Sequence, residues 1–153
     1  MTKRIDDASI RDSAATGRDG TTAVLLVEDD RDTQAYMTTV LASRYQVLLA
    51  ASAEEARRLL ALYDGRVGIV LMDLSLRGTE DGLSLTRWLR SDERWRMLPI
   101  IVTTAHAYPE DRARSLAAGC DAYLAKPFPK DELLSLMEEL LARGPAGRGH
   151  TLH

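Results

Sequence analysis

Short, unbroken apolar runs that alternate with helical patterns constrain this chain more than any other feature. The first run, Ala23-Val24-Leu25-Leu26-Val27, contains no polar residue, as expected of a strand buried on both faces. Behind it Ala35, Tyr36, Met37, Val40 and Leu41 recur at helical spacing. Gln46 to Ala50 reads as a second strand. Ser52, with Glu55 three places on, is a capping-box signature. It opens a helix whose apolar face is Ala56, Leu59, Leu60 and Tyr63, and Gly65 stops it. Val67 to Met72 is the third strand, and Leu85, Trp88 and Leu89 mark the next helix. Pro99 to Thr103 is the fourth. Pro109 suits a first helical position, Glu110 and Asp111 favour a first turn, and Gly119 suits an end. Asp121 to Leu124 is a short fifth strand. Pro129 then opens a last helix with Leu133, Leu136, Met137 and Leu140 facing inward.

Strand followed by helix, five times over, predicts an α/β fold: a parallel sheet with helices on both faces. Right-handed crossovers bring the carboxyl ends of all the strands to one edge, where ligands bind in such folds. The alternation occupies residues 22–143. Residues 1–21 are polar and lack an apolar period, which predicts a disordered arm. Residues 144–153 form a Gly-rich tail with no helix signal.

A chain of 153 residues is the size of one ordinary domain. With 20 basic and 23 acidic residues and a net charge of −3, it gives no electrostatic case for nucleic acid or a membrane surface. One cysteine, Cys120, excludes an internal disulfide and a cysteine-based zinc site. No apolar run approaches the ~18 residues of a membrane span, and the first residues lack the apolar stretch of a secretory signal. A cytoplasmic location is the default expectation.

The ionisable residues of interest lie at the strand ends. The first run ends in Glu28-Asp29-Asp30, the third in Asp73, the fourth in Thr103-Thr104, and after the fifth comes Lys126-Pro127-Phe128. Carboxylates gathered at one sheet edge raise one another's pKa unless a cation neutralises them. A hard cation with oxygen ligands is the natural solution, and Mg²⁺ takes one or two carboxylates together with phosphate oxygens and waters. A carboxylate is also a competent nucleophile toward phosphorus. A lysine and a hydroxyl beside the metal suit phosphoryl transfer, where the protein mainly positions groups and neutralises charge.

The ordered set LLVEDD, VLMDLS, IIVTTA and YLAKPF resembles the response-regulator receiver family of two-component signalling, from about Val24 to Leu141. The resemblance implies a doubly wound, flavodoxin-like sheet in the order 2-1-3-4-5 with five helices. It implies a domain that takes a phosphoryl group from a histidine kinase or histidine phosphotransfer protein, with Mg²⁺ as cofactor. Residue by residue, Asp73 matches the phosphoacceptor, and Glu28 and Asp29 the acidic pair that organises the metal, Asp29 being its direct ligand. Ser75 matches the position whose backbone carbonyl reaches the metal. Thr104 matches the switch hydroxyl, with the small Ala105 beside it, Tyr123 the switch aromatic, Lys126 the phosphate-contacting lysine, and Pro127 a cis proline. His106 stands at a position that borders the site. Arg77 stands where many receivers carry proline, and Gly82 comes one residue late, which implies a loop one residue longer over the site. With only about ten residues after the last helical pattern, the expectation is a stand-alone receiver, not a turnover enzyme, that signals to a downstream protein.

Each residue has a plainer reading. Asp30 is expected to cap the first helix. For Glu28 and Asp29 alone, a cap and a metal ligand are equally good readings, and the distant Asp73 and Lys126 tip the balance to metal. Cys120 reads as a small buried hydrophobe, Trp88 and Trp95 as packing residues, and Arg87, Arg90, Arg94 and Arg96 as a solvated face. Two rival functions stand beside the switch. One is an aspartate-nucleophile phosphohydrolase, which would want a second acid two residues after the nucleophile, on the first strand; Ser75 fills that place, and Asp73 lies on the third strand. The other is a degenerate receiver that acts as an interaction module without phosphorylation, which the full set Asp29, Asp73, Thr104 and Lys126 argues against.

Overall fold

The computed structural model describes residues 22–74, 76, 81–105 and 108–143. Five strands alternate with five helices: β1 Thr22–Val27, α1 Arg31–Ala42, β2 Tyr45–Ala50, α2 Ala53–Leu62, β3 Val67–Asp73, α3 Gly82–Ser91, β4 Ile100–Thr104, α4 Pro109–Ala118, β5 Ala122–Ala125 and α5 Lys130–Arg143. All strand pairings are parallel, and the sheet order is β2-β1-β3-β4-β5. The architecture is the one expected from the alternation and from the family resemblance. Each strand boundary lies within one residue of the sequence reading.

The strands divide two cores between them. Side chains point to opposite faces of a strand in turn, so Leu25 and Val27 join Val70, Met72 and Val102 beneath α2, α3 and α4. Val24 and Leu26 join Ile69, Leu71 and Ile101 against Met37 and Leu41 of α1 and the inner face of α5. This is why the first run carries no polar residue: both faces of β1 are covered. Burying a side chain such as Leu25 or Leu71 contributes about 1.5–3 kcal/mol, so the central strands are the most strongly anchored part of the domain.

Local signals also act as expected. Asp30 caps α1 by accepting from the Thr33 amide at 2.9 Å. Ser52 caps α2 by accepting from the Glu55 amide at 3.1 Å, and the Glu55 carboxylate reaches back to the amide of Ala51 at 2.7 Å. Pro109 opens α4, and Gly119 closes it in the left-handed conformation, φ 114°. On α5 Leu133, Leu134, Met137 and Leu140 are buried, and Leu136 packs partly buried against the same core. Tyr36 stands out into solvent, because α1 buries only the stripe through Met37 and Leu41.

Arg90 departs furthest from expectation. It does not belong to a solvated face: it lies under the sheet's amino-terminal edge and pairs with Asp121 at 2.9 Å. Asp121 in turn accepts from the Ile100 amide at 2.8 Å, which orders the residue just before β5.

Cys120 sits in the core, and burial, reinforced by the neighbouring Asp121 charge, pushes its thiol up to about 12. The thiolate is the reactive form. At pH 8 the folded protein is therefore expected to resist a disulfide-exchange reagent that titrates one thiol in denaturant. Rapid stoichiometric reaction of the folded protein would contradict this packing.

Candidate functional site

The strand order reverses between β1 and β3, and ligands bind in doubly wound folds outside the carboxyl ends of the strands at such a point. Glu28 and Asp29 follow β1 directly, and Asp73 is the last residue of β3. Carboxylate oxygens of Glu28, Asp29 and Asp73 lie within 4.8 Å of one another. Glu28 and Asp73 are only 2% and 6% exposed, while Asp29 is half-buried.

Backbone hydrogen bonds hold these carboxylates in place. The Glu28 amide donates to the Ala50 carbonyl at 2.9 Å, and the Gln34 side chain donates to the Glu28 carbonyl at 2.6 Å. One Glu28 carboxylate oxygen accepts from the Asp30 amide at 3.1 Å. The acidic turn is thus fixed by the strand before it and the helix after it. Beyond Asp73, the Leu74 amide donates to the Thr103 carbonyl at 2.8 Å, which continues the β3–β4 ladder past Asp73.

Lys126 supplies the opposing charge. Its amide donates to the Thr104 carbonyl at 2.7 Å, which seats the lysine beside the end of β4. Its Nζ lies 3.0 Å from Glu28 Oε1 and 3.8 Å from Asp73 Oδ1. Burial holds the Glu28 carboxyl above its ordinary range, the hydrogen bond from Lys126 pulls it back, and the Asp73 charge pushes it up again. The lysine therefore only partly offsets the effect of burial on Glu28.

Thr104 is fully buried at the end of β4, one residue beyond Thr103, the register partner of Asp73. Tyr123 is half-buried on β5, and burial and the Asp111 charge raise its phenol. It borders an open groove of about 510 Å³ with Tyr108, Pro109, Arg112 and Phe128 among its walls. The Lys126-Pro127 peptide is cis, as the resemblance implied. Ala105 is exposed beside Thr104. Ser75, His106 and the loop residues 77–80 lie outside the described residues. The structure thus brings Glu28, Asp29, Asp73 and Lys126 together, with Thr104 on the strand adjoining Asp73 and Tyr123 set back on β5.

Two positioning residues were not foreseen from the sequence. Gln34 has no pattern that announces its hold on Glu28. Gly82 was legible only as a glycine displaced by one residue, yet its place has a steric reason. A Cβ added there would lie 2.5 Å from the Asp73 carbonyl oxygen and 3.1 Å from Met72 Cγ. Asp81 caps α3 by accepting from the Ser84 amide at 2.9 Å, so the first turn of α3 rests on the backbone of Asp73.

Comparison with known proteins places the chain. The profile described as the response regulator receiver domain matches residues 24–138. The chain belongs to the response-regulator receiver domain family of two-component signalling proteins. It is 37% identical over 131 residues to the transcriptional regulatory protein GltR of Pseudomonas aeruginosa, covering 85% of this chain and 51% of GltR. It is 31% identical to the polar-differentiation response regulator DivK of Brucella ovis, covering 79% of this chain and 97% of DivK. The chain thus spans about half the length of GltR and nearly all of DivK. Among solved structures, the receiver domain of the sensor histidine kinase PA1611 of Pseudomonas aeruginosa is 37% identical, with a TM-score of 0.72 over 80% of this chain and 98% of that one. That structure has a magnesium ion coordinated in its active-site cleft. Receiver domains are in general signalling modules rather than turnover enzymes. Among the described residues, no helix is long and apolar enough to cross a membrane.

The Gly82 contact can be tested against a matched control. A Cβ at Gly68, at the far end of β3, would meet Thr22 Cγ2 at 2.4 Å. Gly82→Ala and Gly68→Ala are each expected to cost about 1–3 kcal/mol by overpacking. Only Gly82→Ala should shift the amide resonances of Asp73 and Leu74; equal shifts in both variants would remove the special role of Gly82.

Proposed function

We propose that this domain accepts a phosphoryl group on Asp73 from a phosphohistidine of a kinase or phosphotransfer protein. The observation that carries the proposal is the position of Asp73. Its carboxylate is buried at the topological switch point, beside the carboxylates of Glu28 and Asp29 and 3.8 Å from the Lys126 ammonium. A buried carboxylate placed among other carboxylates is costly as a purely structural feature; as a nucleophile beside a cation site it has a use.

The donor set fits Mg²⁺: three hard carboxylate oxygens at the sheet edge, one of them, from Asp29, on a half-buried side chain. Asp29 and Asp73 would hold the ion directly, and Glu28, tied to Lys126 and the Asp30 amide, would orient them. A magnesium ion bound there supplies positive charge against the oxygens of the incoming phosphoryl group. The chain's own residues do the rest. Asp73 Oδ forms a bond to phosphorus as the histidine N–P bond breaks, and the imidazole leaves and takes a proton from solvent. Lys126, already 3.8 Å from Asp73, neutralises an equatorial oxygen. Thr104, on the adjoining strand, donates its hydroxyl to the phosphoryl group. That hydrogen bond favours one of two arrangements of the face formed by α4, β5 and α5, with Tyr123 following into the space that Thr104 leaves. A partner protein that recognises this face would read the state.

With acetyl phosphate and Mg²⁺ the protein should gain one acid-stable, base-labile phosphoryl group, seen as a single mass increment. Asp73→Asn should fold and gain none; equal labelling of that variant would move the acceptor elsewhere.

The switch is tested separately. Thr104→Ala removes one hydrogen bond, about 0.5–1.5 kcal/mol net and more when the acceptor is charged. The variant should be phosphorylated yet show most of its beryllofluoride-induced amide shifts at Ala122 to Ala125 abolished. Wild-type shifts in the variant would show that the hydroxyl is not the coupling element.

A further inference from the structure

Asp29 sits between two peptide units that are each held by a side chain. The unit before it carries the Glu28 carbonyl, which accepts from Gln34 Nε2 at 2.6 Å. The unit after it carries the Asp30 amide, which donates to Glu28 Oε2 at 3.1 Å. Peptide units are planar, so two held planes define the backbone angles of the residue between them. They also set the direction in which the Asp29 Cα–Cβ bond leaves the chain. The second hold belongs to the carboxylate cluster itself, since the other Glu28 oxygen lies 3.0 Å from Lys126 Nζ. The first comes from α1, where the Gln34 amide is fixed by its own helical bond to the Asp30 carbonyl at 2.9 Å.

The chemistry of residue 34 suits this task. A primary amide donates to a carbonyl and brings no charge. A lysine or arginine would donate as well, but would set a second cation beside carboxylates that Mg²⁺ must bind. An ionised glutamate would have no proton to donate and would add negative charge beside the turn. Without the hold, Asp29 has to be ordered when the ion arrives, and the cost of that ordering is subtracted from affinity.

We propose, resting on the magnesium reading above, that Gln34 is a positioning residue for the cation site. Its side-chain amide fixes the Glu28–Asp29 peptide, so that the Asp29 carboxylate stands with those of Glu28 and Asp73 before the ion binds. Residues that orient metal ligands typically cost about 10–100-fold in metal affinity when they are lost.

Mg²⁺ alone, added to the 153-residue chain and followed by amide chemical shifts, tests this. Gln34→Met keeps the length of the side chain and loses the donor. Its dissociation constant for Mg²⁺ should rise about tenfold. In the metal-free protein its Glu28 carbonyl-carbon and Asp29 amide resonances should move, while those of Ile69 to Leu71 in central β3 stay. Leu41→Val is the control, because it loosens α1 from the core without touching the turn. It should lower the urea midpoint and keep the wild-type affinity for Mg²⁺. An unchanged affinity in Gln34→Met would overturn the proposal, and so would an equal loss in Leu41→Val, which would assign the effect to the docking of α1. Should the methionine variant not fold, Gln34→Ala gives the same comparison with the best helix former at that position. A wild type that binds no Mg²⁺ would refute the magnesium reading and this proposal together. A wild type that binds, beside an unaffected Gln34→Met, would refute this proposal alone.

Discussion

The structure turns on three carboxylates crowded against one ammonium. Glu28, Asp29 and Asp73 approach within 4.8 Å, and a pair of carboxylates at that distance repels by about 3.5 kcal/mol at an effective dielectric constant of about 20. Lys126 relieves part of this through Glu28, its nearer partner. The central strands, buried on both faces, provide the stability that lets the site keep this arrangement. The cluster is a local cost that the rest of the fold carries, and that cost gives a cation and a phosphoryl group something to relieve.

How much of this was legible in the sequence follows from what each feature depends on. The strands and helices depend on local periodicity, and the unbroken apolar run Ala23 to Val27 is what a strand covered on both faces requires. The sheet edge that gathers Glu28, Asp29, Asp73, Thr104 and Lys126 follows from parallel connections, which are set by handedness and connection length. Caps such as Asp30 and Ser52 announce themselves by spacing. The roles of individual site residues came from family resemblance, since a lone aspartate after a strand carries no such information.

What stayed hidden depends on contacts between segments remote in sequence. Arg90 falls among Arg87, Arg94 and Arg96, and charge patterning alone makes it one of a solvated set. Only the fold shows that its position on α3 faces Asp121, thirty-one residues on. Gly82 is similar: its need for a missing Cβ comes from the Asp73 carbonyl, which reaches it only once α3 has packed on the end of β3.

Magnesium binding to the resting protein tests most directly whether the carboxylate cluster is a cation site. The melting temperature of the wild type should rise with Mg²⁺, by about 3–8 °C at roughly ten times the dissociation constant. The same titration of Asp29→Asn should show a much smaller rise, since that variant removes one proposed ligand and part of the repulsion. A melting temperature indifferent to millimolar Mg²⁺ in the wild type, or an identical rise in both proteins, would contradict a cation site built from these carboxylates.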